Sequence, residues 1–315
     1  MLFLDTVYIF KVKVKTIQPQ IDQLGNRSDK TATKHKLPTM QNALTPALVN
    51  QKLNTTWIGQ PYHYLPSATS TNDLLKEQAA SRSKSPVATG TVLLTDYQEK
   101  GKGRLSRRWE APPGSSLLFS ILLRPNWPAE RFSWLTMIGG LAVSEAVSRY
   151  TALATRLKWP NDCVIKQDGM WKKYCGILLE SNFSVSESLT YAVVGIGVNV
   201  NIKKADMPPT TFPATSLMEA TGSPVSRLDL LTTILERFEQ YYELAERDQA
   251  PLAAWQERLI FMNRQVIVSM VGKEVEIVGT AVGTDEEGRL LIRDERGILH
   301  HIAAGDMTIR EYFEP

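Results

Sequence analysis

Nine residues, Gly101-Lys102-Gly103-Arg104-Leu105-Ser106-Arg107-Arg108-Trp109, carry four cations and two glycines. Glycine inside a helix or strand has an entropic cost, so this Gly-x-Gly run predicts a loop. Glycine also lets backbone N–H groups close on an anion, and successive N–H groups form an anion-binding nest. Arginine adds a planar fork of donors matched to phosphate or carboxylate oxygens. Such a loop supports the binding and activation of phosphates or carboxylates. The competing reading is a solvated basic surface loop, because Gly-x-Gly alone is a weak signal. Glycine and charge give the loop little to pack against, so it is expected to be mobile when empty.

Three further blocks follow downstream and one precedes. Lys158-Trp159-Pro160-Asn161-Asp162 comes first, then Lys173-Tyr174-Cys175-Gly176-Ile177-Leu178-Leu179-Glu180, then Gly195-Ile196-Gly197-Val198-Asn199-Val200-Asn201. Upstream sits Ser70-Thr71-Asn72. In this order and spacing the blocks resemble the biotin–protein ligase family, from about Pro66 to Pro315. The pairing of Lys-Trp-Pro-Asn-Asp with Lys-x-x-Gly-Ile-Leu-x-Glu is the specific part of the resemblance.

The resemblance implies a two-step reaction. Biotin is activated by ATP to biotinyl-adenylate and pyrophosphate, then passed to a lysine of a biotin carboxyl carrier protein. The implied activity is that of a biotin–[acetyl-CoA-carboxylase] ligase, or one serving a similar biotin-dependent carboxylase. The barrier to joining two anions is largely electrostatic, so fixed cations and N–H donors are what the first step requires. By motif position Lys173 is implied to touch both the biotin carboxylate and the phosphate. The neighbouring Lys172 leaves the register open, and the spacing to Gly176 favours Lys173. Arg104 is implied to close over the adenylate. Lys102 stands where relatives often have arginine, which keeps charge but loses bidentate geometry. Gly101 and Gly103 hinge the loop, and Arg107 and Trp109 are implied to order it around the nucleotide. Trp109 is equally readable as ordinary core.

Ser70, Thr71, Asn72 and Gln98 are implied at the biotin end, with Ser70, Thr71 and Gln98 on its ureido ring. A neutral polar head calls for neutral donors and acceptors. Helix capping is the rival reading for Ser70 and Thr71. Gly176 and Gly195 would let biotin lie against backbone. Lys158 and Asn161 belong to the same ligand-binding set. Asn199 is implied near adenine, or only satisfies a strand end. Asp162 is the candidate to orient or deprotonate the acceptor lysine, whose ammonium near its usual pKa of ~10.4 is a poor nucleophile. Its rival reading is a salt bridge to Lys158 or a loop arginine. Mg²⁺ is expected with ATP, held by phosphates and one or two side chains, since the sequence shows no metal cage.

The elements that must position these residues are readable in outline. A helix capped at Ser70 or Thr71 is expected over the following residues. Strands are expected over Thr91–Thr95, Ser115–Leu123, Thr155–Trp159, Gly176–Ser181 and Thr190–Val200. Helices are expected over Arg131–Tyr150, Arg227–Arg247 and Leu252–Leu259. Short strands near Gln265–Ser269, Glu274–Val278, Arg289–Arg293 and Leu299–Ala303 suggest a small barrel. The resemblance implies an α+β class: a mixed sheet flanked by helices, as in class II synthetases, followed by an SH3-like C-terminal barrel. The expected division is 46–262 for the catalytic domain and 263–315 for the barrel.

Residues 1–45 stand apart as a poorly ordered extension. Val7–Lys15 alternates apolar residues with lysine, and the following polar stretch has too few apolar residues to pack. The expectation is that Met40 is the true start, the alternative being a basic targeting or docking arm. Two consecutive amphipathic helices with a short turn are missing before the catalytic blocks, so DNA binding is not expected.

The 315 residues carry a net charge of +3, and 43% are hydrophobic. That charge gives no global case for nucleic-acid or membrane binding. No apolar run reaches the ~18–20 residues of a membrane helix. Two cysteines, Cys163 and Cys175, form no disulfide framework and are read as reduced thiols of a cytoplasmic protein. A homodimer is possible. Two rival functions compete with this reading: a lipoate or octanoyl ligase of related fold, a group that lacks the loop motif, and a non-enzymatic nucleic-acid-binding regulator using Arg104, Arg107 and Arg108.

Overall fold

Runs of alternating or wholly apolar residues build a seven-stranded sheet in the computed structural model. Its strands are β1 (Tyr62–Leu65), β2 (Val92–Thr95), β3 (Ser116–Leu123), β4 (Thr155–Lys158), β5 (Asp162–Gln167), β6 (Met170–Phe183) and β7 (Leu189–Asn199). Their order is β1-β2-β3-β7-β6-β5-β4. Only the β1–β2 pair is parallel; the remaining neighbours are antiparallel. The sheet is therefore mixed. The structure describes residues 43–81, 86–183, 189–210, 212–270, 276–303 and 307–311. The extension read over 1–45, with its Val7–Lys15 strand and Met40, lies outside the described residues up to residue 42. Residues Met40–Pro315 group as one compact unit.

Helices flank the sheet because their apolar stripes match it. They are α1 (Pro46–Lys52), α2 (Thr71–Ala80), α3 (Trp134–Thr151), α4 (Leu217–Thr221), α5 (Arg227–Glu246) and α6 (Leu252–Glu257). Helix α5 presents Leu231, Ile234, Leu235, Phe238 and Tyr242, all buried, at the three- and four-residue spacing of one helix face. It packs on α3. Phe238 is fully buried, and cutting such a ring back to alanine costs about 3–5 kcal/mol. Gly139 and Gly140 lie inside α3, where glycine lowers helix propensity. Their place is explained by the sheet: a Cβ on Gly139 would stand 3.2 Å from Ile177, and one on Gly140 3.3 Å from Leu157. The glycines let α3 lie close on β6 and β4.

Helix α2 covers the opposite face, over β3 and β7. Its N-cap is Ser70, whose hydroxyl accepts the Asp73 N–H at 3.4 Å. That is the capping role weighed from sequence.

A second sheet is wholly antiparallel. Its strands are β8 (Gln265–Met270), β9 (Glu276–Thr284), β10 (Leu290–Arg293), β11 (Leu299–Ile302) and β12 (Met307–Glu311), ordered β11-β10-β9-β8-β12. It lies against the first through the Asp285–Gly288 turn. Trp159 donates from Nε1 to the Gly288 carbonyl at 3.1 Å, and Ser133 donates to the Glu287 carbonyl at 2.7 Å. Trp159, read from sequence as part of a chemical motif, is thus a buried anchor between the sheets.

Candidate active site

The four blocks converge on the face of the first sheet that α2 covers. Side chains alternate across a strand, so Gly176, Leu178 and Glu180 of β6 face the site while Cys175 and Ile177 face the core. A bulge brings Lys173 to the same side. Cys163 pairs with Cys175 but the next residue, Val164, pairs with Lys173, so Tyr174 is the extra residue. Bulges re-aim side chains in this way. The two adjacent lysines point apart. Lys172 points to Asp168 at 2.9 Å, whereas Lys173 Nζ stands 2.5 Å from Asp162 Oδ1 and 5.4 Å from the Trp109 ring centre.

Trp109 packs closely against glycine backbone. A Cβ on Gly197 would come within 2.6 Å of its ring, and one on Gly176 within 2.8 Å. The ring is half-buried, so it is neither free lid nor ordinary core. It is the root of the cationic loop. That loop closes on itself: the Trp109 N–H donates to the Gly101 carbonyl at 3.0 Å, and the Gly103 N–H to the Arg107 carbonyl at 2.8 Å. Leu105 and Ser106 have φ of 60° and 58°, the left-handed conformation that turns the loop back. Beneath the loop, toward Leu178 and Glu180, lies an open cavity of about 850 Å³.

Loop cations have distinct partners. Arg104 Nη1 donates to Asn161 Oδ1 at 3.1 Å. Asn161 in turn brackets Ile177, accepting its N–H at 2.9 Å and donating Nδ2 to its carbonyl at 2.7 Å. Lys102, the lysine standing for arginine, pairs with Asp73 of α2 at 2.6 Å. Arg108 donates to the Glu99 carbonyl at 2.9 Å.

Lys158 is buried, its ammonium 4.9 Å from the Phe212 ring centre. Burial pushes it below the usual lysine range. Asp162 pulls the other way, while Lys173, Arg104 and Arg107 add to the effect of burial. A buried cation among cations favours an anionic guest.

At the far end, the Thr71 N–H donates to Gln98 Oε1 at 2.9 Å. Asn72 donates from Nδ2 to Glu180 Oε2 at 2.8 Å, and Ser120 donates to Asn72 Oδ1 at 2.6 Å. Gly195 leaves the room Asn72 fills, since any Cβ there would collide with its amide. Asn199 is buried and donates to the Thr215 carbonyl at 3.2 Å, the strand-end role weighed from sequence.

Sequence reasoning missed the segment around Phe212. Lys173 N–H donates to the Pro213 carbonyl at 2.7 Å, and the Thr215 N–H to the Lys173 carbonyl at 2.9 Å. This strip fixes the Lys173 backbone from the side and brings Phe212 over Lys158. The run Pro208-Pro209-Thr210 signals a loop but not its destination. Ser120 was missed too, because a lone serine in a strand of leucines carries no motif.

Residues 64–199 match the model of the biotin/lipoate A/B protein ligase family, and residues 261–310 match the biotin protein ligase C-terminal domain. The biotin–[acetyl-CoA-carboxylase] ligase of Mycobacterium tuberculosis is 30% identical over 244 residues, which are 76% of this chain and 85% of that protein. The chain belongs to the biotin protein ligase family. Its fold agrees with that of a biotin protein ligase from Aquifex aeolicus solved in complex with biotin and ATP: TM-score 0.66 and 30% identity, over 80% of this chain and 99% of that one. The bifunctional ligase/repressor BirA of Bacillus spizizenii is 29% identical over 84% of this chain and 79% of its own length. A biotin protein ligase of this family thus has the mixed sheet and flanking helices expected from sequence, followed by the C-terminal β-domain. Among the described residues no helix is long and apolar enough to cross a membrane.

Proposed function

We propose that this ligase activates biotin with ATP and transfers it to a lysine of a biotin carboxyl carrier domain, that of acetyl-CoA carboxylase or a similar carboxylase. The observation that carries the proposal is the Lys173 ammonium, held between the Trp109 ring and the Asp162 carboxylate beside Gly176. In the first step a biotin carboxylate oxygen bonds to the α-phosphorus, and the bond from that phosphorus to pyrophosphate breaks. Lys173 offsets charge on both anions, Arg104 closes over the adenylate, and Lys158, Lys102 and Arg107 supply the surrounding positive field. In the second step the acceptor lysine nitrogen attacks the acyl carbon, AMP leaves, and Asp162 takes the amine proton. Trp109, Gly101, Gly103, Gly176 and Gly195 shape a close-fitting floor and cover. Ser70, Thr71, Asn72 and Gln98 form the end that receives the biotin head. Asn161 steadies Arg104, and Asn199 closes the adenine end.

Among the described residues no three of His, Cys, Asp and Glu gather as a metal cage. Mg²⁺ would arrive on the nucleotide, held by phosphates and one or two side-chain oxygens, and would neutralise phosphate charge there. The working division is 46–262 and 263–315. Both cysteines are free and buried, which supports a cytoplasmic site of action. A homodimer belongs to the same reading.

The test is incubation of the purified chain with a carrier domain, biotin, ATP and Mg²⁺. The expected result is one biotin adduct on one lysine, absent without ATP. Transfer of lipoate or octanoate in place of biotin would contradict the proposal.

A further inference from the structure

Glu180 ends the Lys-x-x-Gly-Ile-Leu-x-Glu block yet has no part in the steps above. Its surroundings give it one. One carboxylate oxygen pairs with Lys76 and the other accepts Asn72 Nδ2 at 2.8 Å. An ionised carboxylate only accepts. The Leu178 carbonyl, also only an acceptor, stands 3.4 Å from the same nitrogen. The Asn72 amide is therefore fixed with its nitrogen toward β6 and its oxygen toward Ser120.

That direction propagates. Asn72 Oδ1 lies 2.6 Å from Ser120 Oγ and cannot donate, so the single hydroxyl proton of Ser120 is committed to it. Ser120 Oγ also lies 2.7 Å from Thr71 Oγ1. With its own proton committed, Ser120 accepts there and the Thr71 hydroxyl supplies the proton. Gln98 Oε1 accepts the Thr71 N–H at 2.9 Å and stands 3.2 Å from Thr71 Oγ1, the longer of that hydroxyl's two polar contacts. The Gln98 amide nitrogen is thereby turned away, toward Gly101, where a Cβ would lie 3.1 Å from it. Thr71 Oγ1 is left with lone pairs to offer, and Gln98 with N–H donors.

We propose that Glu180 is a specificity-determining positioning residue that sets the hydrogen-bond polarity of Thr71 in the ligand's head pocket through Asn72 and Ser120. The inference rests on the reading of this end as the biotin head pocket. A cyclic urea presents an N–H to the Thr71 acceptor and a C=O to the Gln98 donor. A head group without N–H leaves Thr71 Oγ1 facing a second acceptor or an apolar edge.

The rival is a purely structural Glu180 that holds α2 to β6 through Lys76. Calorimetric affinities of the full chain for biotin, and for biotin methylated on a ureido nitrogen, separate the two. Wild-type protein should prefer biotin clearly. Glu180→Met and Ser120→Ala should each shrink that preference by about fivefold, the worth of one neutral hydrogen bond. Lys76→Met should lower the melting temperature and leave the preference unchanged. An unchanged preference in Ser120→Ala, or in a folded Glu180→Met, would overturn the relay; if Glu180→Met does not fold, Ser120→Ala decides alone. A preference lost in Lys76→Met would equally overturn it in favour of the structural role. Wild-type protein that binds no biotin would overturn the functional reading itself, and the relay with it.

Discussion

Lys173 and Asp162 face each other across the β5–β6 ladder, ammonium to carboxylate at 2.5 Å. The bulge at Tyr174 makes this meeting possible. In the proposed reaction each residue occupies the other's charge until the anionic substrates draw Lys173 away. The two proposed steps thereby share one switch: Lys173 leaving for the phosphate frees Asp162 to meet the acceptor amine.

Asp162→Asn should therefore separate the steps. Adenylate formation should stay within about tenfold of wild type, while transfer to the carrier falls by ~10²–10⁴-fold, the usual reach of a general base. Single-turnover assays with preformed adenylate measure the second step alone. Equal losses in both steps would place Asp162 in the first.

Trp109 and Gly197 should act as one unit. A Cβ on Gly197 would press 2.6 Å from the ring, so Gly197→Ala should displace it much as Trp109→Ala removes it. Both variants should raise KM for biotin, and the double variant should be far from additive. Additive losses would show that the contact does not matter for binding.

Lys158 gives the pH dependence. Burial lowers its pKa in the folded chain relative to the unfolded one. Protons are then bound more tightly by the unfolded state, so the lysine costs stability at low pH. That cost is relieved as pH rises from the folded value toward the ordinary ~10.4. Phosphate binding needs the charged form, so nucleotide affinity should fall as pH climbs through the lowered value. Lys158→Arg should keep affinity to higher pH. Affinity profiles with the same alkaline fall in both proteins would refute the assignment.

Trp159 should matter for stability. Trp159→Phe loses the bond to the Gly288 carbonyl, worth about 1 kcal/mol. At this size that is a drop of about 2–4 °C in Tm. Gly288→Ala should cost more, since φ is +76° there and a Cβ would run into Met137. Calorimetric melting checks both.

Much of this was legible in the letters, for reasons particular residues make plain. The Gly-Lys-Gly-Arg loop and the Lys172-Lys173 pair stood out because glycine and charge are rare where strands run, and β3 and β7 announced themselves by long, mostly apolar runs. Strand β5 was hidden, since Asp162-Cys163-Val164-Ile165-Lys166-Gln167 mixes polar ends with a short apolar middle. β1, with Tyr-His-Tyr-Leu, was hidden because its partner comes thirty residues later. Trp159 looked chemical because it sits inside a chemical motif, but its ring is occupied by the second sheet. The Ser120 and Glu180 contacts depend on three strands and a helix coming together, which spacing along one chain does not encode.

The central claim is that this site makes an acyl-adenylate through Lys173. Biotin-dependent exchange of labelled pyrophosphate into ATP measures that step without any carrier. Wild-type protein should exchange label only when biotin is present, and Lys173→Ala should lose at least about 10²–10³-fold, as when one fixed electrostatic contact is removed from a reacting centre. Exchange that proceeds without biotin, or that persists at full rate in Lys173→Ala, would contradict the account.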